Sequence, residues 1–87
     1  MLEEFLRQKV VVDLRSPFVC LGTLIGVDDL HLELRDADLH DLRDTSTSRE
    51  NYVAAAKATG IKHNRKRLLI VRAEVVAVAR LKDVVEE

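Results

Sequence analysis

Residues 18–27 (FVCLGTLIGV) alternate with a period of two, and two glycines, Gly22 and Gly26, sit inside that alternation. Val19, Leu21, Thr23, Ile25 and Val27 share one face, and the glycines lie on the other. Glycine within a strand marks a sharp bend, a bulge or a close backbone approach. Two of them, four residues apart, point to a sheet that curls into a small barrel. The flanking segments have the same period. Val10, Val12 and Leu14 alternate with Val11, Asp13 and Arg15, and Ser16-Pro17 makes a turn. Asp28-Asp29 makes a second, tight turn. Leu30, Leu32 and Leu34 then alternate with His31, Glu33 and Arg35, an apolar face suited to a barrel interior. The pattern blurs from Asp36; Ala37, Leu39 and Leu42 extend the strand only past a bulge. Residues 67–73 and 75–82 read as two further strands, divided at Glu74.

Two segments have helical character. In 2–8 (LEEFLRQ), Leu2, Phe5 and Leu6 fall on one helical face, with Glu3 and Glu4 at the positive end of the dipole. After a polar loop at 43–50, Thr47-x-x-Glu50 forms a capping box ahead of the alanine-rich 51–59, which Gly60 ends. This second helix is weakly apolar, so it is expected to cover an edge and not to form a core. No segment suggests crossover helices, which argues against a parallel sheet. The expected fold is mostly β: a strongly bent five-stranded antiparallel barrel with an N-terminal helix. A helical insert at 43–66 precedes strand four.

Eighty-seven residues allow one domain, 1–87, with a thin core. One cysteine cannot make an internal disulfide and fits a reducing compartment. No apolar run approaches the ~18 residues of a membrane span. Glu3 and Glu4 stand where a secretory leader needs positive charge, so a cytoplasmic setting is expected. Catalytic material is sparse: there is no phosphate loop, Ser/His/Asp arrangement or carboxylate pair. Cys20, in an apolar strand without a nearby base, reads as a buried hydrophobe. Asp36-x-Asp38-x-His40 has the residue types of a metal site but reads as a solvated strand end. No enzyme activity, metal or cofactor is therefore expected.

The net charge of −1 hides a segregation. Residues 27–44 hold seven acids and two arginines, net −5, whereas 57–72 hold six bases and no acid, net +6. Such a chain presents a basic face to nucleic acid or to the acidic face of another copy.

Within this order, Gly22-Thr23-Leu24-Ile25-Gly26-Val27-Asp28-Asp29-Leu30-His31-Leu32-Glu33-Leu34 resembles the first motif of the Sm/LSm family. Gly22, Leu24, Asp28, Leu32 and Leu34 fit that motif if one residue is deleted after Asp28. Ile70-Val71-Arg72-Ala73-Glu74 is similar to the second motif, with Ala73 in place of its glycine. The resemblance implies an SH3-type barrel that closes into hexameric or heptameric rings, strand four of one subunit pairing with strand five of the next. It also implies single-stranded RNA as partner. Arg72 matches the family's arginine, His31 takes the place of its base-reading asparagine, and Asp29 falls where an aromatic or histidine stacks. Aspartate cannot stack on a base and repels phosphate. Two readings of His31 and Arg72 follow. Either they line an RNA pocket, or His31 is a plain sheet residue and Arg72 pairs with an acid such as Glu33 or Glu74. Lys62, Arg65, Lys66 and Arg67 divide in the same way. Either they contact phosphates, without an interleaved aromatic, or they form a solvated loop facing the acidic 28–44 region. The alternative function is an Sm-fold structural or protein-interaction module without RNA.

Overall fold

The computed structural model describes residues 1–85. Five antiparallel strands form one sheet: β1 (Lys9–Leu14), β2 (Phe18–Val27), β3 (His31–Asp41), β4 (Arg65–Val71) and β5 (Val75–Arg80). Their order is β4-β3-β2-β1-β5, so strands distant in the sheet are both edges. The sheet curls around one apolar cluster: Val10 and Val12 from β1, Cys20 and Leu24 from β2, Leu32, Leu34 and Ala37 from β3, and Ile70 from β4. Val75 and Val78 of β5 pack against the same cluster. Residues from both edges meeting in one interior define the barrel that the glycines suggested.

The bend has a local cause. Gly22 is buried on the concave side, and a Cβ there would lie 3.1 Å from the Ala37 Cβ and 3.2 Å from the Arg35 carbonyl oxygen. A side chain at this point would need β3 to give by a few tenths of an ångström. Beside it the β2–β3 register slips: Leu21 pairs with Asp38 and Thr23 with Arg35, leaving one extra residue on β3. Asp36 lies in that extra stretch and adopts φ 48°, an αL geometry that aspartate tolerates better than most residues. A second slip follows, because Leu24 pairs with Leu34 and Gly26 with Glu33, leaving Ile25 extra on β2. These two bulges correct the simple alternation. Cys20, Leu24 and Val27 share the interior despite unequal spacing, and Val19 and Leu21 face the other way. On β3, Leu32, Leu34, Ala37 and Leu39 face inward, as the extension past a bulge required. Leu30 does not: it lies in the turn, 68% exposed.

The helix α1 (Arg49–Thr59) connects β3 to β4. Its N-cap is Ser48, whose side chain accepts from the Asn51 amide at 3.1 Å, and not Thr47 of the expected capping box. Gly60 ends it with φ 98°. The helix covers a sheet face, not an edge. Val53 and Ala56 pack with Val11, Val19, Leu21 and Leu81 in a second buried cluster. Tyr52 anchors it further: its ring stacks on His40 with centroids 3.9 Å apart, and its hydroxyl donates to the Asp38 carboxylate. Asp38 is thereby committed to Tyr52, and among the described residues no three metal-ligating side chains converge.

The N-terminal segment is a single 3-10 turn, Leu2–Phe5, and not a helix through residue 8. Its apolar face still docks, with Leu2, Phe5 and Leu6 against the interior cluster. A turn this short gains little from helical hydrogen bonding, so packing decides its shape. A 3-10 turn, Arg72–Glu74, joins β4 to β5, and Leu81–Asp83 forms another. Glu86 and Glu87 lie outside the described residues. Among the described residues no helix is long and apolar enough to cross a membrane.

Candidate nucleic-acid interface

The β2–β3 turn is built on Asp28. Its carboxylate accepts the Leu30 and His31 amides at 2.8 and 2.6 Å, while its own amide donates to the His31 carbonyl at 3.0 Å. These backbone donors hold the Asp28 carboxyl below the usual aspartate range. The turn therefore projects Leu30 outward and starts β3 at His31. The turn after β4 locks onto it. The Arg72 amide donates to the Leu30 carbonyl at 2.8 Å, and the Arg72 guanidinium donates to the Asp28 carbonyl at 2.8 Å. His31 and Val71 are direct cross-strand partners. The result is a shallow depression lined by Asp29, Leu30, His31, Val71, Arg72 and Ala73.

The two candidate residues taken from separate motifs thus share one site. Arg72 binds a backbone carbonyl, and among the described residues it forms no ion pair with Glu33, Glu74 or any other acid. Four of its five donor hydrogens remain for a ligand. His31 leaves its imidazole accessible, 3.5 Å from the Asp28 carboxylate through Nδ1. Asp29 lies in the same lining, so the site mixes a planar cation, an imidazole, an apolar rim and a carboxylate. It can present a stacking surface and guanidinium donors to a base edge or carbonyl, but Asp29 works against phosphate.

The basic run lies elsewhere. Lys62, Arg65, Lys66 and Arg67 are exposed, and β4 separates Arg65 from Val71 by about 20 Å of strand. Asn64 fixes where the run begins: its side chain accepts from the Leu39 amide at 3.1 Å and donates to the Leu39 carbonyl at 3.2 Å. Arg67 pairs with Glu33, whose carboxylate raises the guanidinium's pKa by direct hydrogen bonding. The partner once open to Arg72 is thus taken by Arg67. Lys62, Arg65 and Lys66 form no ion pair among the described residues. The sheet adds a cation that reading along the chain missed: Arg35 of β3 stands directly opposite Arg67 of β4. Like charges facing across a ladder destabilise it, and here the Glu33 carboxylate on Arg67 offsets part of that repulsion.

Five bent antiparallel strands in the order β4-β3-β2-β1-β5, with turns clasped through Asp28 and Arg72, define the Sm-like fold. Among solved structures, the chain is similar to the Sm protein of Pyrococcus abyssii in complex with a uridine heptamer. The TM-score is 0.61 at 22% identity, over 90% of this chain and 89% of that one. No family model and no curated protein sequence matches the chain.

Proposed function

We propose that this protein is a non-enzymatic, cytoplasmic Sm-like protein that binds single-stranded RNA as a cyclic homo-oligomer of six or seven subunits. The observation that carries the RNA reading is the convergence of His31 and Arg72, 41 positions apart in the chain, in one open depression. In this reading His31 stacks on or hydrogen-bonds a base, and Arg72 supplies planar donors to it. Lys62, Arg65, Lys66 and Arg67 add phosphate contacts along β4, where Arg35 reinforces them. The uridine ligand of the Pyrococcus protein supports the choice of probe.

The oligomer is supported by the edges. β4 and β5 are the two unpaired sheet edges, and they expose Leu69 (51%), Val71 (53%) and Val76 (65%). Free apolar edges invite uncontrolled pairing unless another strand covers them. Pairing β4 of one copy with β5 of the next is heterologous, and it ends in a ring where the rotation closes.

The test is fluorescence anisotropy with oligouridylate and oligoadenylate across salt concentrations. Binding that weakens with salt, and is lost in Arg72→Gln and His31→Ala, is expected. No binding at low salt refutes the RNA reading. Light scattering that gives the mass of one chain at micromolar concentration refutes the ring. One observation favours a protein ligand instead, the Asp29 carboxylate inside the depression. Tight RNA co-purifying with the protein would exclude that alternative.

A further inference from the structure

A second basic feature lies apart from both motifs. A groove of about 480 Å³ runs between the end of α1, the start of β1 and the turn after β5. Lys9, Lys57 and Lys82 line it from those three elements, over a floor that includes Leu81 and Ala56. Among the described residues, no acid lines it. The nearest acid in sequence, Asp83, is engaged by Arg80 at 2.8 Å. At Gly60 the groove is open: no heavy atom lies within 4 Å of where a Cβ would stand. Lys62 follows two residues later, so the groove adjoins the beginning of the basic run.

Lys57 has a structural task. It sits in the last turn of α1, where a cation offsets the negative helix end, and its ammonium donates to the Val84 carbonyl at 2.5 Å. Lys9 and Lys82 have no comparable partner; among the described residues they form neither an ion pair nor a side-chain hydrogen bond. Three cations gathered from distant parts of the chain around an apolar-floored concavity repel one another. Their field is focused there on any anion that enters. We infer that this groove binds the phosphate groups of a linear polyanion, either an RNA backbone or a free polyphosphate. For RNA the inference rests on the reading above; the groove would hold the strand outside the His31/Arg72 depression.

Backbone amide shifts of the full chain test this, with inorganic tripolyphosphate and oligouridylate as separate probes. Both probes are expected to move the Gly60 and Lys82 amides. In Lys9→Gln/Lys82→Gln the response falls about tenfold in affinity at low salt, and Lys9→Arg/Lys82→Arg restores it. Both lysines are exposed, so the glutamine variant keeps the wild-type circular dichroism. A response to tripolyphosphate alone assigns the groove to free polyphosphate. If the His31 amide also ignores oligouridylate, the RNA reading fails while the groove stands. Oligouridylate that moves His31 but leaves Gly60 and Lys82 unmoved, with tripolyphosphate equally silent, overturns the groove alone. An equal response in wild type and the glutamine variant also overturns it.

Discussion

Gly22 and Gly26 occupy one strand four residues apart, yet the structure predicts opposite responses to the same substitution. An alanine at position 22 would place its Cβ 3.1 Å from the Ala37 Cβ and 3.2 Å from both the Ala37 Cα and the Arg35 carbonyl oxygen. Each contact is several tenths of an ångström too short. Two of the three atoms are backbone, held at the bulge by pairing on both sides of β3. Overpacking of this kind costs about 1–3 kcal/mol. Replacing glycine recovers about 0.4–1 kcal/mol from the unfolded chain, since neither glycine needs positive φ. The net for Gly22→Ala is a loss of roughly 1–2 kcal/mol, or about 4–15 °C in Tm for a domain of this size. At position 26 the Cβ would meet only Glu33 side-chain atoms at 3.5 and 3.6 Å, ordinary contact. Gly26→Ala is therefore neutral or stabilising by up to about 1 kcal/mol. Urea denaturation followed by circular dichroism, at one fixed protomer concentration, measures both. A Gly22→Ala protein as stable as wild type, or a Gly26→Ala protein less stable than Gly22→Ala, refutes the account of the bend.

Three further outcomes are expected. Burial pushes the Cys20 thiol up to about 11, so it resists a thiol-specific reagent at neutral pH and reacts only as the protein unfolds in denaturant. Ser48→Ala removes the α1 cap and costs about 1 kcal/mol, whereas Thr47→Ala changes stability little; thermal melts of the two variants distinguish them. Asp41 is held at about 2, chiefly by the hydrogen bond from the Arg43 side chain and also by the Arg43 amide, and Asp28 is held low by its turn amides. A depressed carboxyl stabilises the native state above its unfolded value of 3.8 and loses that effect as pH falls. Acid titration should therefore loosen the turn at Leu42–Asp44 only as pH nears 2, while Asp28→Asn flattens the acid dependence of the Leu30 and His31 amide shifts.

The strands were legible in the sequence because their apolar residues keep a period of two and glycine marks the bend. Legibility failed where a residue is inserted. Ile25 and Asp36 each shift the phase, so the inward set on β2 and β3 cannot be counted from one starting point. The weight of α1 was hidden for another reason. A helix with two buried side chains looks marginal alone, but Val11, Val19 and Leu21 supply an apolar face outside the barrel interior for it to cover. The N-terminal segment shows its apolar face in sequence but not its 3-10 geometry, which docking decides. Within the site, His31 and Arg72 were found through motif resemblance, and their convergence follows from the His31–Val71 register. Nothing along the chain groups Arg35 with Arg67, or Lys9, Lys57 and Lys82 with one another, because the companions of each lie in other elements.

The outer helix gives the molecule uneven resistance to opening. β1 carries three consecutive buried valines, two facing the barrel interior and one facing α1. Separating β1 from β2 means undoing both layers, so their amides should exchange with solvent only through global unfolding. β4 and β5 are each anchored on one side only, and their outer residues face solvent. They can open or retwist locally while the β1–β2 hairpin stays closed. A neighbouring strand would therefore meet the most compliant part of the chain, and small mismatches in subunit angle would be absorbed at the edges without reaching the turns that hold His31 and Arg72 together.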